Sequence, residues 1–188
     1  MPREKNQEKR QAFLRAAVAE IAKSGTETST ARIARRAGLA ESTLFTYFPS
    51  KSALLNVLYI ELKDKVYQVL NSDFPADADL YARARHIWAG TLAWGVKSPN
   101  ERKASLHLHL SNAITGATRA HTDARSVEVR KTMAELSTQG IFRELPTNFS
   151  ATVMGAMQDA VLEEIARNRK DQAVLIAKGF EAFWRMCL

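Results

Sequence analysis

Apolar residues recur at intervals of three and four along almost the whole of this 188-residue chain, and no stretch alternates apolar and polar positions as a strand would. The pattern predicts an all-α protein of about nine helices. A first helix from Gln7 to Ser24 places Phe13, Ala16, Ala17 and Ile21 on one face and stops at Gly25. Thr28 or Ser29 caps a short second helix that runs to Ala37, with Ile33, Ala34 and Ala37 inward and Arg32, Arg35 and Arg36 outward. Gly38 ends it. A third helix extends from about Glu41 to Phe48, where Pro49 cuts it short. A fourth, Lys51 to about Asn71, carries a wide apolar stripe of Leu54, Leu55, Leu58, Leu62, Val66, Val69 and Leu70.

Prolines at 75, 99 and 146 punctuate the rest. Asp77 to Ser98 reads as one helix. Pro99 to Arg143 must hold two or more, with Gly116 as the interruption. Ser150 to Asn168 and Asp171 to Leu188 are the last two. No repeat of fixed period and no low-complexity tract occurs.

Within this pattern, Ala34, Gly38 and Leu44 have the spacing of two short helices crossing at a glycine turn. The small residue permits a close crossing, the glycine turns the chain, and the leucine buries the second helix. Directly after it comes Thr43-Leu44-Phe45-Thr46-Tyr47-Phe48-Pro49-Ser50-Lys51. With these residues the chain, over roughly 9 to 56, resembles the TetR family of bacterial transcriptional regulators. The resemblance implies an N-terminal three-helix helix-turn-helix DNA-binding domain, residues 1–52, and a larger C-terminal helical ligand-binding and dimerisation domain, residues 53–188. It further implies a homodimeric repressor on double-stranded DNA, reading a palindromic operator and released from it by a small-molecule inducer; the alternative is a DNA-binding regulator with no small-molecule ligand, partner-controlled or constitutive, or an activator.

In a helix-turn-helix the second helix presents its N-terminal residues to base edges in the major groove, which makes Glu41, Ser42, Phe45 and Thr46 the candidate readers. Phe45 either packs on a thymine methyl or is a half-buried packing residue. Glu41 either accepts from cytosine N4 or complements the positive end of its helix. By resemblance Thr43, Tyr47 and Lys51 contact the DNA backbone. Lys51 has a reason of its own, since a lysine in the first turn of a helix opposes the dipole and calls for an anion nearby. Thr28, Ser29, Thr30 and Arg32 could grip the adjacent backbone. Three positions depart from the family pattern: Ala40 stands where serine or threonine usually caps the recognition helix, Thr26 replaces an aromatic, and Thr30 replaces an apolar residue.

Charge supports a polyanionic partner. The chain carries 27 Lys and Arg against 20 Asp and Glu, and 10 basic with only 5 acidic residues fall within the first 51. Cys187 is the single cysteine, which leaves no intramolecular disulfide and no cysteine metal cluster. His107 and His109 point to nearly opposite faces of a helix, so no metal and no cofactor is expected. The residues form no nucleophile-base pair, phosphate-cradling loop or paired carboxylates, which argues against an enzyme. Without a membrane-spanning run or a signal-like N-terminus, the expected location is the cytoplasm.

For the larger domain, Tyr67, Trp88, Thr91, His107, Leu110 and Met157 are candidates to line a ligand cavity, with plain core packing as the competing reading. Val153, Met157 and Val161 on one late helix, with Phe180, Phe183 and Trp184 on the other, are candidates for a dimer interface, although a monomer could bury the same faces in its own body.

Overall fold

The computed structural model describes residues 2–188, with side chains from Asn6 onward. Among the described residues there are ten α-helices and no strand. They are α1 (Pro2–Ser24), α2 (Thr30–Ala37), α3 (Glu41–Tyr47), α4 (Lys51–Asn71), α5 (Leu80–Lys97), α6 (Pro99–His109), α7 (Gly116–Asp123), α8 (Val127–Leu136), α9 (Phe149–Arg167) and α10 (Gln172–Arg185). Two 3-10 turns, Gly140–Glu144 and Arg169–Asp171, precede α9 and α10 respectively. None of the described helices is long and apolar enough to cross a membrane.

The chain forms two compact units. The first holds residues 1–64 and 98–122, so it contains α1 to α3, most of α4, and α6 with nearly all of α7. Its core is the apolar stripe read from α1, Phe13, Ala16, Ala17 and Ile21, meeting Ile33 and Ala34 of α2, Leu44 of α3, Leu54, Leu55, Leu58 and Leu62 of α4, and Ala104 and Leu108 of α6. Asn56 ties α4 to the segment after α6: its Nδ2 donates to the Ala113 carbonyl at 2.8 Å and its Oδ1 accepts the Thr115 N–H at 3.0 Å. Engaging both amide ends in one clasp fixes the rotamer.

The second unit holds residues 65–97 and 123–188. All three tryptophans, Trp88, Trp94 and Trp184, belong to it. Trp88 lies at its centre with its ring stacked on Phe183, centroids 6.3 Å apart, and Phe183 in turn meets Phe142 at 5.9 Å. The Trp88 indole N–H donates to the Ile176 carbonyl at 2.9 Å, which satisfies the polar handle of a fully buried ring. Gly179 makes this packing possible, because a Cβ there would stand 2.8 Å from Trp88 Cζ2 and 2.9 Å from Val161 Cγ2.

Helix boundaries differ from the sequence reading where a cap outweighs periodicity. α1 begins at Pro2 and not Gln7, since charged helix formers extend a helix without any apolar signal. α5 begins at Leu80 and not Asp77, because the Asp79 carboxylate accepts the Ala82 N–H at 2.8 Å and ends the turns after Pro75. Gly116 opens a helix instead of breaking one. The break lies at 110–115, where the Thr115 hydroxyl accepts the Thr118 N–H at 3.1 Å and caps α7.

Candidate nucleic-acid interface

α2 and α3 are joined by the glycine turn that the spacing predicts. Gly38 sits in the left-handed region (φ 70°, ψ 27°) and its N–H returns to the carbonyls of Ala34 and Arg35, closing α2. Ile33, Ala34 and Leu44 are buried against α1 and α4. Their burial turns the opposite side of α3 outward: Glu41, Ser42, Phe45 and Thr46 are exposed, Phe45 by 46% although it is aromatic, and Thr43 and Tyr47 are half-buried beside them. Lys51 follows in the first turn of α4, whose cap is Ser50, its Oγ accepting the Ala53 N–H at 3.0 Å. The candidate readers and Lys51 thus lie within one segment of eleven residues that has a solvent-facing side.

The flanking candidates divide. Ser29 is the cap of α2, its Oγ accepting the Arg32 N–H at 3.3 Å. Thr28 is a correction: its side chain is buried and its hydroxyl has no hydrogen-bond partner among the described residues, so it does not face outward to grip a phosphate. Neighbouring residues of an extended loop point to opposite sides, and here the outward one is Ser29. Thr30 donates from its hydroxyl to Glu41 Oε1 at 2.5 Å, linking the first turns of α2 and α3. Ala40, at the N-cap of α3, offers no side-chain hydrogen bond, so this link supplies part of the order that a capping serine would have given.

Arg32, a candidate for the adjacent backbone, and Arg36 are tied to α1. Both reach Glu20 of α1, Arg36 Nε at 2.5 Å from Oε1 and Arg32 Nη2 at 3.0 Å from Oε2. The Arg36 hydrogen bond holds the Glu20 carboxyl below the usual carboxylate range, with the charge of Arg32 adding to it and burial opposing. Glu20, only 5% exposed, escaped the sequence reading, yet it falls on the apolar stripe of α1 four residues after Ala16, where an acidic residue signals a partner. Asn6 also escaped it. Tyr47 donates its hydroxyl proton to Asn6 Oδ1, and its ring lies 6.0 Å from that of Phe13. Arg10, on the same side of α1, pairs with Glu61 at 2.9 Å and covers the Phe48 ring at 5.6 Å.

Residues 13–58, the stretch that builds this turn and its supporting helices, match the family model described as bacterial regulatory proteins, tetR family. Over that stretch the chain is similar to the TetR family. Solved structures of transcription regulators share the fold of this chain over nearly its whole length. A TetR-family protein from Shewanella sp. PV-4 superposes with a TM-score of 0.77 at 24% identity, covering 94% of this chain and 96% of its own. One from Marinobacter aquaeolei VT8 gives 0.76 at 22% identity, with 96% and 97% covered. The TetR-like regulator LfrR from Mycobacterium smegmatis, solved in complex with proflavine, gives 0.66 at 18% identity, with 96% and 98% covered.

Elsewhere in the chain the candidate residues fare differently. Of the six proposed for a ligand cavity, Tyr67, Trp88, Thr91 and Met157 belong to the second unit, whereas His107 and Leu110 belong to the first. Trp88 is a correction, being a fully buried core residue whose N–H is already satisfied. Leu110 is another: it caps the C-terminal end of α6 and is 73% exposed, so it lines no enclosed cavity. His107 is exposed on α6 near Gly25. The second unit does carry a solvent-open recess of about 570 Å³, lined by Gln68, Val69, Ser72, Asp73, His86, Ala89 and Gly90, and none of the six is among them. Of the dimer candidates, Phe180 and Phe183 are corrections, since both are buried in the core of their own unit. Val153, Met157, Val161 and Trp184 are half-buried. The open sides of α9 and α10 instead carry Ala156, Ala160, Val174 and Ala177, with Val174 60% exposed.

Proposed function

We propose that this chain is a DNA-binding transcription regulator, a repressor that acts in the cytoplasm as a homodimer on a palindromic operator and is released by a small-molecule inducer. The observation that carries the reading is the α2–Gly38–α3 turn with an outward face on α3 and Lys51 at the start of α4. The two-fold dimer follows from reach, because one recognition helix covers only a few base pairs and a palindrome needs two. Small apolar residues on the open sides of α9 and α10 would let the same helices of a second copy approach closely. The inducer must bind the conformation with misplaced recognition helices more tightly than the operator-bound one, since equal affinity shifts nothing. The proflavine complex of LfrR is the support for a small organic ligand.

Binding of the full chain to duplexes selected from a random pool, followed by fluorescence anisotropy across a salt series, tests this. A palindromic consensus bound with a steep salt dependence is the expected outcome, and a chain that enriches no duplex overturns the reading.

The filled centre of the second unit around Trp88 favours one alternative, a regulator with no small-molecule ligand. A thermal-shift screen separates the two, because a ligand that binds only the folded chain raises its melting temperature and a chain without a pocket gives no hit.

A further inference from the structure

Tyr47 stands at the C-terminal end of α3, where a phenol is expected to donate a hydrogen bond to a DNA phosphate. A phosphate oxygen can only accept, so the contact requires a proton. Tyr47 has one, and it is already committed to Asn6 Oδ1. The commitment is reinforced from the other side, as the Phe13 ring 6.0 Å away helps to fix the phenol. Asn6 lies in the second turn of α1 and is exposed. With its Oδ1 occupied by the tyrosine proton, the Asn6 amide keeps two N–H donors on Nδ2. Accepting at the oxygen also polarises the amide and makes those donors better.

We infer that Asn6 is a phosphate-binding residue and that Tyr47 acts through it, holding the amide so that Nδ2 donates to the DNA backbone. The inference rests on the reading of the chain as a DNA-binding regulator. In this arrangement α1, the helix outside the glycine turn, adds a neutral donor to the grip that Lys51 makes as a point charge. Nothing in the motif from Thr43 to Lys51 points to Asn6, because it lies about forty residues earlier and meets Tyr47 only through the packing of α1 on α3.

The test uses the full chain and its selected operator, prepared with single neutral methylphosphonate linkages at each backbone position in turn. In the wild type, one linkage near the end of α3 weakens binding. Asn6→Ala is expected to lose about tenfold in affinity, the worth of one hydrogen bond to a charged acceptor, and to be indifferent to that same linkage. Tyr47→Phe should be indifferent to it as well, and the double variant should bind no worse than either single variant, since the two side chains act as one unit. Melting temperatures of all three should match the wild type within about 2 °C, an estimate for a surface pair. If Asn6→Ala remains sensitive to the linkage while Tyr47→Phe does not, Tyr47 is the donor and the inference fails. Sensitivity in both, or additive losses, overturns it equally. A wild-type chain that binds no duplex overturns the regulator reading itself, and the contact with it.

Discussion

Whether a polar side chain can serve DNA depends on which of its protons are free. Lys51 has no such conflict, since its ammonium is a charge wherever it points. Lys51→Ala should weaken binding to all duplexes alike and lower the magnitude of the log affinity against log salt slope by about one; an unchanged slope in the anisotropy series would remove Lys51 from the backbone contacts. Thr46 is exposed on α3 and its hydroxyl makes only a long 3.5 Å bond to the Ser42 carbonyl, so it is free to turn to a base. Thr46→Ala should therefore change the selected sequence at one position of each half-site, whereas a uniform loss would make it a backbone contact. The exposed place of Thr46 on α3 and the position of Lys51 at the start of α4 were legible in the sequence because a motif of fixed spacing carries them. Thr28 was not, because in a polar loop beside Ser29 nothing in the residue types says which of two adjacent hydroxyls turns inward. Asn6 and Glu20 were missed for a different reason: their partners, Tyr47 and the two arginines, come from other helices.

At the scale of elements, α2 is held by its glycine stop and by Glu20. Gly38→Ala puts a Cβ on a residue at φ 70°, and although no atom lies within 4 Å of it, the backbone strain should cost about 1 kcal/mol in chemical denaturation. Glu20→Gln should cost about 1 to 2 kcal/mol, a figure discounted for the arginines being nearly half in water. Since folding makes the Glu20 carboxyl a stronger acid, its contribution is complete above the ordinary value of 4.5 and is lost as pH falls below that. The wild type and Glu20→Gln should consequently converge in stability on titration from pH 6 to pH 3, an interval taken on that linkage; a constant difference would mean that the ion pairs do not matter. The helices themselves were readable from periodicity, most directly α4, whose stripe runs from Leu54 to Leu70 behind the Pro49-Ser50 start. Starts set by a single side chain were not, as Asp79 and Thr115 show: each caps a helix by one backbone N–H, and periodicity carries no record of that.

For the whole molecule, the proposed dimer and the core make opposite demands on α10, and two substitutions tell them apart. Val174→Asp places a charge on an open side and should yield a monomer by analytical ultracentrifugation that melts near the wild-type temperature and loses its preference for a palindrome over a half-site. Phe183→Ala should instead lower stability by about 3 to 5 kcal/mol, the range for truncating a buried aromatic, whatever the state of assembly. A dimer that survives Val174→Asp would move the interface elsewhere. The placement of the tryptophans has an optical consequence. With Trp88, Trp94 and Trp184 all in the second unit, light absorbed at the red edge of the protein band excites that unit alone, and the helices that carry the recognition turn stay dark. Emission from the unlabelled chain is thus a built-in reporter for one half of the molecule: an inducer that settles among these indoles would announce itself directly, whereas an operator would have to be followed through a dye on the DNA.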